Sequence, residues 1–460
     1  MSRETIQFGG PSTALPRSRE GAGPTAALRQ PKSGGLTIDW RTIEWWGAGI
    51  SIFLQSGAVL PLLMSDANGD LGDPAKAELR LVWLPVYAFT AAVLMHHPRQ
   101  FADAFRRNLL LNVLLAMPLF SVFWSIAPSV TLRRAGGLVF TVLLAYLLAL
   151  RFTPRQFLLL LLAALGPCIA MSLVVLVASP GLAWMPDGDG AMRGIFLHKN
   201  SLGWYSCISA LVSAVVAMDG SLGYRRTAVA LLIGSLICLA GSTSMTATIA
   251  ASTACCLIWF YSVLPKVRGV ARVVFVLVFV QAAAVILITL HEFLVPVLEA
   301  LGKDATLTGR IPLWEQVDVA TARRLLLGYG YQAFWTEGNP DAWTIWSNVN
   351  WMAPHAHNGY RDILLGFGLA GMTVFAMVAL RAFRQGAGLQ CRAPGEGWLF
   401  LNVFFPMVLV MNLTESLFLL QNDTIFILFA TTIIMFSQHS PRYATGLPTL
   451  RDGLPELRRR

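Results

Sequence analysis

Apolar residues in this chain come in long blocks separated by short polar stretches. The blocks lie near residues 44–63, 79–95, 109–126, 135–150, 157–178, 201–218, 227–241, 245–264, 273–290, 363–380, 398–413 and 424–436. A helix that spans a bilayer needs about 20 predominantly apolar residues. The pattern therefore predicts an all-α polytopic membrane protein of about 12 transmembrane helices. The final block, "TIFILFATTIIMF", is short and would cross with little tilt.

Between the ninth and tenth blocks the pattern breaks for a long stretch, residues 291–362. Structureless loops beyond about 15 residues are usually functional or disordered. This one carries Trp314, Trp335, Trp343, Trp346 and Trp351, and disordered segments are poor in aromatics. It should be a large, partly helical loop. A helix is predicted near 312–325, with Thr308 as cap, Pro312 in its first turn, and Leu313, Val317, Ala320 and Leu325 at roughly helical spacing. The expected organisation is a disordered tail over 1–43, helices one to nine over 44–290, the loop over 291–362, helices ten to twelve over 363–436, and a second tail over 437–460.

Of the 460 residues, 55% are hydrophobic and 13% charged, about half the charge of a soluble domain. The net charge of +10 would suggest nucleic acid in a soluble protein. Here the position of the charge decides otherwise. Alternate links hold Arg99, Arg106 and Arg107; Arg151 and Arg155; Arg225 and Arg226; Lys266, Arg268 and Arg272; and Arg381, Arg384 and Arg392. Both tails are basic as well. The positive-inside bias then puts both termini in the cytosol, and acidic links such as "SDANGDLGDPAKAE" outside. The N-terminal stretch has no apolar core and no cleavage site, so it is not a secretory signal. Cys168, Cys207, Cys238, Cys255 and Cys256 fall inside blocks and Cys391 in a cytosolic link, so no disulfide is expected.

The cations that break this trend lie on the outer face. They are Arg133 and Arg134 after "FWSIAPSVTL", Arg193 and Lys199 in "MRGIFLHKNSLGWY", Arg310 in "LTGRIPLWEQV", and Arg361. An ionisable group at membrane depth is a functional-site hypothesis by default. Lys199 would contact phosphate or extend to the interface. Trp314 and its neighbours suit sugar faces or anchor at the interface.

Arg361 belongs to "APHAHNGYRDILLGFGLAG", residues 353–371, where two histidines and an asparagine abut a Gly-rich apolar run. Three chemistries fit. His355 and His357 could cap the following helix. His-X-His could hold zinc, although no third ligand has a favourable spacing. A neutral His could instead accept a hydroxyl proton, with arginines clamping phosphate. That last arrangement is what transfer from a lipid pyrophosphate needs: Arg stabilises the leaving group and His activates the attacking hydroxyl. Glu415, in "NLTESLFLLQND", would orient an Arg or His or face water. Gly203, Gly368 and Gly371 permit close helix packing.

Four stretches together resemble the superfamily of O-antigen ligases and O-antigen or exopolysaccharide polymerases. They are "FWSIAPSVTLRRA", "RGIFLHKNSLGWY", "LTGRIPLWEQV" with "LLGYGYQAFW", and the His357-Asn358-x9-Gly368-x-x-Gly371 pattern. The resemblance implies metal-independent, inverting glycosyl transfer at the periplasmic face of the bacterial inner membrane, without a cofactor. The donor would be an undecaprenyl-pyrophosphate-linked glycan. By the same resemblance Arg193 and Arg310 bind pyrophosphate and His357 is the base. His198, Lys199, Asn200, Asn358, Arg361, Arg133, Trp314 and Tyr329 join them as substrate-binding residues. The His-Lys-Asn segment looks closer to exopolysaccharide polymerases, whose acceptor is another lipid-linked repeat. The alternatives are a ligase, with lipid A-core as acceptor, and more remotely a polysaccharide-lipid transporter. A chain-length regulator and a flippase are the protein partners this implies; nucleic acid is not expected.

Overall fold

A computed structural model describes residues 39–58, 73–186, 190–300 and 309–444. Most of the N-terminal tail, most of the acidic link at 65–78, Thr308 and the C-terminal tail from 445 lie outside them.

A helix stands at every apolar block. They are α1 (Trp40–Gln55), α2 (Asp73–His96), α3 (Pro98–Arg107), α4 (Leu109–Phe120), α5 (Pro128–Arg151), α6 (Pro154–Ala178), α7 (Lys199–Met218), α8 (Arg225–Ser242), α9 (Met245–Val263) and α10 (Gly269–Ala300). After these come α11 (Arg310–Arg323) and α12 (Pro340–Val349), then α13 (Gly359–Arg392), α14 (Trp398–Met411) and α15 (Thr424–Ala444). Strand structure among the described residues is limited to one isolated bridge, Trp184 to Met192.

Length decides which helices can cross a bilayer. Among the described residues seven do by length and composition: α5 to α8, α9 with its following turn, α10 and α13. The α3 and α4 pair, bent by 92°, passes as an eighth. The 14 residues of α14 rise only about 21 Å, against a hydrocarbon core of about 30 Å. The chain is thus an all-α, polytopic membrane protein.

Local sequence sets the ends. Thr153 and Gln156 form a reciprocal capping box ahead of α6, with Pro154 in the first turn. Between α3 and α4 the Asn108 side chain donates to Ala104 O at 2.9 Å. Helix α10 runs to Ala300, well into the stretch read as loop.

The molecule has two distinct ends. At one, Glu44 of α1 is 1% exposed and accepts from Arg151, the last residue of α5, at 3.0 Å. At the same end α15 meets α3, where Ser437 donates to Arg107 O; Arg381 of α13 donates there too. Helix α5 connects this end to the other, where Thr131 in its first turn donates to Tyr331 O at 3.0 Å.

The loop predicted to be partly helical contains α11 and α12. Pro312 lies in the first turn of α11, and Leu313, Val317 and Ala320 are buried. Leu325 lies beyond the helix and is exposed. Helix α12, not anticipated, begins at Pro340 and is capped by the Asn339 side chain, which accepts from Asp341 N. Leu313, Val317, Tyr329, Phe334, Ile345 and Trp346 form a small core of their own.

This loop is joined to α13 at a break. Gly368 has φ 59° and ψ −155° inside the helix, a combination open essentially to glycine alone. Two helical hydrogen bonds are lost there, and residues 325–330 replace both. Tyr329 N and Gly330 N donate to Leu365 O and Gly366 O, at 2.7 and 3.1 Å. Leu369 N and Ala370 N donate to Leu325 O and Leu326 O, at 2.8 and 3.2 Å. Every group freed by the break thus finds a partner, as a buried backbone requires. Of the three glycines expected to ease packing, Gly203 does so, against Ser242, Ser244 and Ala247. Gly368 marks the break instead.

Candidate functional site

The first turn of α13 organises the site. Asn358 is its N-cap: the side-chain oxygen accepts from Tyr360 N and Arg361 N, both at 3.1 Å. Its amide donates to Leu413 O at 2.9 Å. Asn358 N donates to Ser416 Oγ, and Gly359 N to Asn412 O and Glu415 O. The segment between α14 and α15 is thereby fixed against the helix start.

Glu415 of that segment is buried, with its side chain 2% exposed, and it gathers the polar groups. Arg310, the first residue of α11, donates to Glu415 Oε1 at 3.0 Å. Thr246, in the first turn of α9, donates to the same oxygen at 3.3 Å and pairs with Thr414 at 2.8 Å. His357 Nδ1 lies 3.9 Å from Glu415 Oε2, too far for a hydrogen bond, and has no other hydrogen-bond partner. Arg310 and His357, 47 positions apart by their numbers in the sequence, therefore meet at one carboxylate.

His357 is held in the left-handed region at φ 49°, a conformation that costs a non-glycine residue about 1–3 kcal/mol. Its N–H donates to His355 Nδ1 at 3.2 Å, and the two rings lie 4.1 Å apart. Trp351 closes over His357 at 5.5 Å. Burial, with His357 and Arg310 nearby, pushes the His355 imidazole down to about 3. His355 is therefore neutral at physiological pH.

The remaining sequence-derived residues divide. Arg361 is engaged: it grips Asp318 through Nε and Nη2 at 2.8 and 2.7 Å. It also lies over the Trp314 ring at 4.9 Å, and Trp314 Nε1 donates to Ala356 O. Together these fix the loop that presents His357. Tyr329 is buried and donates to Ala320 O at 2.8 Å, as part of the loop core. Arg193 donates through Nε to Leu182 O at 3.1 Å. His198 caps α7 by accepting from Asn200 N at 3.1 Å, and Lys199 is the first residue of that helix. This segment reaches the cluster indirectly. Met192 N donates to Gly241 O at 2.8 Å, and the 241–247 turn carries Thr246 to Glu415. Arg133 is exposed. Its neighbour Arg134 turns inward and donates to Gln332 O at 2.8 Å.

Arg134 borders a cavity of about 190 Å³. Asp362 and Ser416 line it, and neither was singled out from the sequence. Ser416 Oγ donates to Asp362 Oδ2, whose carboxylate also accepts from Ala356 N at 3.1 Å and Trp335 Nε1 at 3.3 Å. The only sequence signal was an acidic residue one turn into an apolar helix. Among the described residues no group of three or more His, Cys, Asp or Glu could hold a metal ion.

Residues 228–376, which include Arg310 and His357, match the family model described as O-Antigen ligase. An "Exopolysaccharide production protein ExoQ" of Rhizobium meliloti (strain 1021) is 27% identical over 343 residues. The match covers 73% of this chain and 71% of that protein.

Proposed function

We propose that this chain, a member of the superfamily of O-antigen ligases and exopolysaccharide polymerases, polymerises undecaprenyl-pyrophosphate-linked oligosaccharide repeats. The convergence of Arg310, Glu415 and His357 carries this reading. The acceptor hydroxyl loses its proton to His357 as its oxygen attacks the anomeric carbon. The bond from that carbon to the pyrophosphate oxygen breaks, and the pyrophosphate leaves on its lipid. Inversion follows from this single displacement. Glu415 beside Nδ1 favours a proton there, which leaves Nε2 free to act as base. One donor of Arg310 rests on Glu415; the guanidinium has five, and the others are free to meet negative charge growing on the leaving group. Arg193 and Lys199 supply further cationic charge from the neighbouring segment.

In this proposal the site faces the periplasm and both tails face the cytosol. Two observations support it: the site lies at one end of α5, and the starts of α1 and the end of α15 gather at the other. The Arg-rich links then fall on the cytosolic side.

The test is an assay with full-length protein in lipid, glycan-linked undecaprenyl pyrophosphate as donor, and released undecaprenyl pyrophosphate as readout. His357→Ala should abolish transfer while donor binding persists. Arg310→Lys should lose about 10²–10³ in rate, because a lysine lacks the planar fork. Wild-type turnover in both variants would sink the mechanism. A second reading, ligation to lipid A-core, is favoured by the description of the matching family. Offering both acceptors in one assay decides between them. Translocation of the donor without product would point to a transporter.

A further inference from the structure

We infer that the cavity beside the two histidines is the seat of the acceptor sugar, and that it takes a single neutral pyranose ring. This rests on the glycosyl-transfer reading and adds to it the position and class of the second substrate.

The geometry separates the cavity from the cationic side of the site. Glu415 and Ser416 are consecutive, yet their side chains part. Glu415 turns to Arg310 and His357. Ser416 turns to Asp362 and the cavity. His355 borders the cavity, and its ring lies 4.1 Å from that of His357, tilted by 56°. A ring seated there would lie one imidazole away from the base, with His355 between it and His357.

The lining suits a sugar. Trp335, Phe334 and Phe418 supply aromatic walls for C–H faces, while Arg134, Gln421 and Asp362 supply polar groups. A mostly apolar pocket with a few convergent polar groups is the usual form of a small-molecule site. Tyr331 OH donates to Leu419 O at 2.5 Å and lies 3.0 Å from Gln421 Oε1, which places the Gln421 amide group at the cavity wall. Arg134 is tied to Gln332 O through one nitrogen. The Asp362 carboxylate has no cationic partner within ion-pair distance among the described residues. With one guanidinium, Arg134, and one carboxyl, Asp362, the lining has no excess of positive charge to hold a phosphate and offers polar partners to hydroxyls. The volume of about 190 Å³ is below the about 300–1,000 Å³ of drug-sized pockets. One ring fits and an oligosaccharide does not, so the rest of the acceptor must extend outward.

The experiment uses full-length protein in lipid nanodiscs and saturation-transfer NMR with methyl glycosides of glucose, galactose, N-acetylglucosamine and rhamnose as probes. At least one should receive saturation from the wild type. Trp335→Ala and Gly366→Ala should each cut it by about fivefold or more, in line with what one methylene is worth in a fitted pocket. Gly366→Ala guards against misfolding. Its new Cβ would stand 3.8 Å from Gly330 O, an ordinary contact on the cavity wall, and alanine suits a helix better than glycine. His357→Ala and Arg310→Ala should keep the wild-type signal, because neither lines the cavity. Saturation of no glycoside, or equal saturation in the two cavity variants, overturns the assignment. Failure of the base and clamp proposal would appear elsewhere, as undiminished transfer in His357→Ala and Arg310→Lys. The two results are independent.

Discussion

His355 and His357 differ by two positions and have opposite duties. His355 receives a backbone N–H and sits where charge is unfavourable; His357 keeps its ring nitrogen unpaired beside a carboxylate. Because the His355 value falls from 6.5 to about 3 on folding, the unfolded chain binds the extra proton first. Its contribution is complete above pH 6.5 and is lost as pH falls toward 3. We predict that melting in detergent drops between pH 7 and pH 5 in the wild type, and drops less in His355→Asn. Equal pH dependence in both would contradict it. At this scale the sequence was informative about residue type: polar groups at the mouth of an apolar block are conspicuous. It was silent about direction. Arg133 and Arg134 are one helical step apart, about 100°, and only the helix's packing turns Arg134 inward. Glu415 could not be assigned because its partner Arg310 lies 105 positions away.

Helix α13 was visible as an apolar block, but its break was not. Glycine at 368 is compatible with close packing or with φ above zero, and only the docking of residues 325–330 selects the second. Gly368→Ala should therefore destabilise the protein by about 3 kcal/mol through backbone strain. Contact adds to this, since a Cβ there would lie 2.4 Å from Leu326 C. Gly388→Ala, in the same helix with open space around it, should be neutral or slightly stabilising. The folded fraction by size exclusion after a heat step would compare them; similar losses would show that the break is not needed. Helix α14 shows the limit of an apolar block as a signal: composition reveals apolarity, while its 14 residues fall short of the length that a straight crossing needs.

Over the whole molecule, charge bias is the basis of the proposed orientation. A reporter fused at Asn339, in the cap of α12, should read as periplasmic, and one after Ala444 as cytosolic. A cytosolic signal at Asn339 would put the cluster on the wrong side for a lipid-linked glycan that has already crossed. The paired carbonyls and amides at Gly368 bear on a different matter, that of modularity. The segment between α10 and α13 is not an appendage that can be swapped at its visible ends. Four backbone bonds make residues 325–330 and 365–370 one unit, and Trp124 Nε1, Ile126 N and Tyr331 N tie that unit to the 121–131 segment as well. A loop transplanted from a relative without its matching helix break would leave buried backbone groups without partners. The heritable piece is thus the loop together with the first turns of α13, and acceptor preference should travel between relatives only when both are exchanged together.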